Sequence, residues 1–194
     1  MTNSREVVNM FRLSMLLVVF TTGLVFAQEK KEYSCSIRVD NPTIESSKTE
    51  KEGKGRKSTV VETTTRAMHY PVKVSFRGKT LPTAGIRLNC FFSGRKDGQN
   101  VVLGKRTVDV KLDEKGDFKT EIVSDPAVWT ETKSRVGRGR NRNTKSVGSG
   151  MRLGGCIIQL IVDGQVERVY TSKPTWAKLA KQYPLPESEI LKIR

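Results

Sequence analysis

The stretch that most constrains this chain is residues 155–183. Within it, residues 156–162 are apolar except for Gln159 and dense in β-branched side chains. The run is too short for an ordinary globular helix, so it predicts a strand buried on both faces. Asp163-Gly164 follows at once. That dipeptide supplies the two positive-φ positions of a type I′ turn and predicts a hairpin, with Val166 and Tyr170 on the return strand. Pro174 then suits a first helical turn, where its missing N–H costs nothing. Trp176, Leu179, Ala180 and Tyr183 recur at three- and four-residue spacing and predict one apolar helical stripe, closed by Pro184 and Pro186. A helix near 174–183 must lay that stripe on a surface, and the sheet before it is the nearest.

Alternation of apolar and polar residues supplies the other strands. Tyr33, Cys35, Ile37 and Val39 form one strand, which Asn41-Pro42 ends. Val61, Thr63, Thr65 and Ala67 share a side of the next, and Tyr70-Pro71 predicts a bend or an edge, since proline donates nothing to a ladder. Val72, Val74 and Phe76 follow. Ile86, Leu88, Cys90 and Phe92 give the clearest alternation, and Asp97-Gly98 is a second hairpin dipeptide. Val102, Val108, Val110 and Leu112 continue across Gly104, where a bulge is expected. Phe118, Thr120 and Ile122 run back. Residues 45–57 mix both charges with Ser and Gly and read as a solvated loop. The expected fold is mainly β: an antiparallel β-sandwich with one short C-terminal helix. In strand number and length this resembles the immunoglobulin-like class, in architecture only.

The chain begins with the pattern of an export signal. Arg5 and Arg12 precede an apolar segment over residues 13–20, and Val25-Phe26-Ala27 suits cleavage. Residues 1–27 are therefore expected to leave as a signal peptide, with residues 28–194 forming a single domain that is secreted or periplasmic. No later segment is long and apolar enough for a transmembrane span. The whole chain carries a net charge of +15. Losing Arg5, Arg12 and Glu6 with the leader leaves 33 basic against 19 acidic side chains, a net +14. Outside the cytoplasm the matching polyanions are acidic polysaccharide, cell-wall polymer, lipid headgroups and released nucleic acid.

Three cysteines remain, Cys35, Cys90 and Cys156, each on the apolar parity of an expected strand. Two readings stand: buried thiols acting as small hydrophobes, or one disulfide, Cys35–Cys90, in a compartment that permits it. The odd number leaves at least one cysteine outside any intrachain bridge.

Residues 132–152 are the compositional anomaly. They hold Lys133, Arg135, Arg138, Arg140, Arg142, Lys145 and Arg152, and no acid occurs between Glu131 and Asp163. Read as a flexible basic loop, they suit contact with phosphate or sulfate whatever its sequence. The alternatives are a merely solvated loop and a protease-processing site. Residues 187–193 form a short amphipathic tail that either packs back on the domain or docks on a protein partner.

Enzyme signatures do not appear. His69 is the one histidine, there is no Gly-x-Ser-x-Gly elbow, and nothing calls for a metal or cofactor. Asp113 and Glu114 fall in a turn. The expectation is a non-catalytic binding or accessory module, with polyanions or a protein as partner. Its rivals are an extracellular carboxylate-dependent hydrolase and a purely structural envelope component.

Overall fold

The computed structural model describes residues 32–53, 59–136 and 143–193; the expected signal peptide lies outside them. The described chain is mainly β and antiparallel. Its nine strands are β1 (Tyr33–Val39), β2 (Thr43–Gly53), β3 (Thr59–Gly78), β4 (Ile86–Lys96), β5 (Gln99–Asp109), β6 (Asp117–Val123), β7 (Ala127–Val136), β8 (Asn143–Val162) and β9 (Gln165–Thr171). They join in one open sheet of order β1-β3-β7-β8-β4-β5, with β2 and β6 also on β3 and β9 also on β8.

Two 20-residue strands organise this sheet by changing partners along their length. The first part of β3 lies between β2 and β7, and its second part between β1 and β6. The first part of β8 pairs with β7, and its second part lies between β4 and β9. The second parts of both strands carry the core. The first parts, with β2 and β7, form a four-stranded arm in which only Ala127 is buried among the described residues.

Strand β3 runs straight through Pro71, where the sequence predicts a bend or edge. The reason is local. Pro71 stands where its neighbour changes from β2 to β1, and its carbonyl accepts the Asp40 N–H from the link between them. In an antiparallel ladder a residue's N–H and C=O point the same way. The missing N–H therefore falls in the gap between two partners and breaks no ladder bond.

The main core takes the even-numbered side chains of three strands: Tyr70, Val72, Val74 and Phe76; Ile86, Leu88, Cys90 and Phe92; and Cys156, Ile158, Leu160 and Val162. Strands β3 and β4 are not hydrogen-bonded neighbours, yet the Tyr70 and Phe92 rings stack with centroids 5.7 Å apart. A second cluster lies on the other side of β8, where Phe91, Ile157, Trp176, Ala180 and Ile190 meet. The end of β8 is thus buried on both faces, as its apolar run predicts.

The hairpin dipeptides behave as their chemistry requires. Asp97 and Gly98 take φ of 50° and 81°, and Asp163 and Gly164 take 49° and 79°. The expected bulge is present: Phe92 opposes Gly104 and Ser93 opposes Val102, so Leu103 is the extra residue.

The helix expected near 174–183 is corrected to two 3-10 turns, Pro174–Trp176 and Leu179–Lys181. Trp176 and Ala180 are buried as predicted, while Tyr183 is exposed. The cause is Gln159 on β8. Its Nε2 donates to the carbonyls of both Ala180 and Gln182, each at 2.8 Å. These carbonyls are turned to a side chain instead of continuing a helix. Among the described residues the one α-helix, α1 (Glu187–Lys192), comes later and packs back through Ile190.

Candidate functional site

The arm is the part of the protein whose surfaces the core does not use. Its four strands lie in the order β2-β3-β7-β8. Residues 45–53 and 132–136, expected to be loop, are strand, and so are residues 143–152. Ladder hydrogen bonds and ion pairs between strands hold this sheet without an apolar core, so hydrophobic periodicity reports only its β3 member, through Val61, Thr63, Thr65 and Ala67.

Alternation gives the arm two unlike faces. On one, the rows Glu50–Glu62–Glu131–Gly148 and Lys48–Thr64–Trp129–Gly150 cross the four strands. Lys48 Nζ lies 2.9 Å from Glu50 and 3.1 Å from Glu62. Lys133 Nζ donates to Glu62 at 3.0 Å and lies 3.7 Å from Glu131, to which the Ser146 hydroxyl donates. These bonds hold the Glu62 carboxyl below its usual pKa, the Lys133 hydrogen bond contributing most, and they raise both lysines. At the base of this face the Arg152 guanidinium sits 4.0 Å from the centre of the Trp129 ring. A Cβ at Gly148 would overlap that ring, so glycine is what lets the indole lie flat on β8.

The opposite face has no charge in its middle. The row Thr49–Thr63–Thr130–Ser149 crosses all four strands, flanked by Lys51–Val61–Thr132–Val147 and Ser47–Thr65–Val128. Val147 and Val128 are 61% and 44% exposed. At the base of this face His69 bonds Glu45 at 3.2 Å and Glu121 at 3.3 Å. At its other end stand Lys51 and Lys145.

The seven cations expected to act together are distributed by this geometry. Lys133 is on the charged face, neutralised by Glu62. Lys145 opposes Ser134 and so lies on the uncharged face, and Arg152 stacks at the base. The Arg135 backbone opposes Thr144 in β7–β8. Arg138, Arg140 and Arg142 lie outside the described residues.

Cys35, Cys90 and Cys156 are all buried in the main core. Cys90 opposes Ile158 and Phe92 opposes Cys156, which makes Cys90 and Cys156 diagonal neighbours on one face. Burial pushes their thiols up, Cys90 to about 12 and Cys156 to about 11. Burial also raises the Tyr70 hydroxyl, which donates to Met68 Sδ at 3.2 Å.

Asp113 is a turn-former: its Oδ1 accepts the N–H of Lys115 and of Asp117. Among the described residues no group of His, Cys, Asp and Glu has the arrangement of a metal site, and no helix is long and apolar enough to cross a membrane. Comparison of the chain with protein-family models, with curated proteins and with solved structures found no match.

Proposed function

We propose that this protein is an exported, non-catalytic binding module: a two-layered β-sandwich body carrying a β arm whose basic end contacts anionic polymers. Stacking of Tyr70 on Phe92, across strands that share no hydrogen bonds, supports the two layers. The leader pattern of residues 1–27 supports export.

The observation that carries the binding role is the meeting of four strand ends. Gly53 opposes Thr59, Thr59 opposes Ser134, and Val136 opposes Asn143. The described residues that flank 54–58 and 137–142 in the sequence therefore lie together at one end of the arm. In sequence, residues 54–58 and 137–142 contribute Lys54, Arg56 and Lys57, and Arg138, Arg140 and Arg142, with no acid. Arginines in that number suit phosphate, sulfate or carboxylate repeated along a polymer.

The test is a salt titration of binding to heparin and to duplex DNA. Replacing Arg138, Arg140 and Arg142 with serine is expected to weaken binding and flatten the log–log salt slope by about two to three units. Lys133→Ser is the internal contrast: its ammonium already serves Glu62, so binding should change little. Equal binding by the wild type and the triple variant would overturn the reading.

A further inference from the structure

We propose that the uncharged face of the arm is a self-association surface, and that two copies of this chain pack there with the basic end of one arm over the base of the other. In a chain of net charge +15, the centre of this four-stranded face carries only Thr, Val and Ser, with Lys51 and Lys145 toward one end and Glu45 toward the other. Like-charge repulsion opposes contact between copies everywhere the surface is basic. It does not oppose contact across this neutral centre, where Val147 is 61% exposed.

The size is adequate. Strands spaced about 4.8 Å apart and rising about 3.4 Å per residue make residues 59–67 and their neighbours a patch of about 500 Å². Two such patches bury about 1,000 Å², at the lower limit for a specific interface, which implies a reversible dimer.

Charge selects the orientation. A face-to-face pair related by a two-fold axis can place that axis along the strands or across them. Along the strands, Lys51 of each copy would lie beside Lys145 of the other, two residues along the ladder, bringing cation against cation. Across the strands, each basic end lies over the partner's base, where Glu45 and Glu121 flank His69. The β2 register makes this concrete. Lys51 opposes Val61 and Glu45 opposes Ala67, so an axis near Thr64 sets Lys51 of each copy over Glu45 of the other. The same axis sets Val61 over Ala67 and Thr63 over Thr65, small side chains that permit close approach.

The test is sedimentation of the purified protein, its N-terminal residue established by mass spectrometry. The wild type should pass from one-chain to two-chain mass between about 1 and 100 µM. Thr63→Lys with Thr130→Lys should remain one chain throughout while melting like the wild type. Lys51→Glu and Glu45→Lys should each weaken the dimer about tenfold, and combining them should restore it, since the pair is then re-formed with exchanged signs. Ser46→Lys, on the opposite face, should leave the dimer unchanged. A wild type that stays one chain overturns the proposal. So does a dimer indifferent to Thr63→Lys with Thr130→Lys, which would place the contact at a strand edge. Loss of dimer without rescue by the exchanged pair overturns the orientation.

Discussion

Gln159 is the sharpest place to perturb the fold. It is fully buried, and both its amide hydrogens and its carbonyl oxygen find partners within the chain. Its Nε2 donates to Ala180 and Gln182, and its Oε1 accepts from Asn89 Nδ2 at 3.1 Å. Gln159→Leu keeps the volume roughly constant and removes all three bonds. The Ala180 carbonyl is then left without its donor in a dry site, which costs about 1–3 kcal/mol. Gln182 is exposed and water can replace its donor. Asn89 is half-buried and loses a net bond of about 1 kcal/mol. The added apolar contact offsets part of this, leaving a loss of about 2–3 kcal/mol. For a domain of this size that lowers the melting temperature by about 4–12 °C. Gln159→Glu should be worse at neutral pH, because a carboxylate would face two carbonyl oxygens. It should recover in acid, where the protonated group can donate again. Thermal melts and urea titrations read both effects, and limited trypsin digestion at Lys178 and Lys181 reads whether the C-terminal turns lift first. A Gln159→Leu protein that melts at or above the wild type would refute the assignment of Gln159 as the clamp of those turns.

Two further outcomes follow from the same physics. Native alkylation should leave Cys90 and Cys156 untouched and denaturation should expose all three cysteines to the reagent; with folded-state thiol values raised to about 12 and 11 from about 9, stability is intact below pH 9 and falls as pH rises through that window, so a Tm indifferent to pH between 9 and 12 would contradict the burial argument. Gly148→Val should drive the Trp129 ring off β8, increasing acrylamide quenching of its fluorescence while the melt of the body hardly moves; unchanged quenching would show that the ring does not rest there.

The part of the fold that burial dictates was legible. Residues 156–162 announce a two-sided strand because both faces meet apolar partners, and Asp163-Gly164 announces its turn because few other pairs take positive φ twice. The same stretch also shows where periodicity misleads. Trp176 and Ala180 are four apart, as on a helix, and both are buried. Their spacing records what they touch, and two 3-10 turns pinned by Gln159 satisfy it as well as a helix does. Nothing local in the sequence distinguishes the two, because the deciding acceptors are 21 and 23 residues from their donor.

The arm was illegible for a different reason. Residues 45–57 look like a solvated loop because each charge, taken alone, belongs in water. Lys48 reaches Glu62 on the neighbouring strand, and Lys133 reaches the same carboxylate from the strand beyond. Such a lattice is invisible to any window that covers one strand at a time. Only the alternating Val61, Thr63, Thr65 and Ala67 gave a local sign of a strand, and their sign was ambiguous about what they face. Exposed ion pairs contribute little individually, about 0–1 kcal/mol. The arm therefore rests mainly on its ladder hydrogen bonds. A sheet without a core of its own gains most from burial against a second sheet, and the surface best matched in size, neutrality and reversed end charges is the same face on another copy.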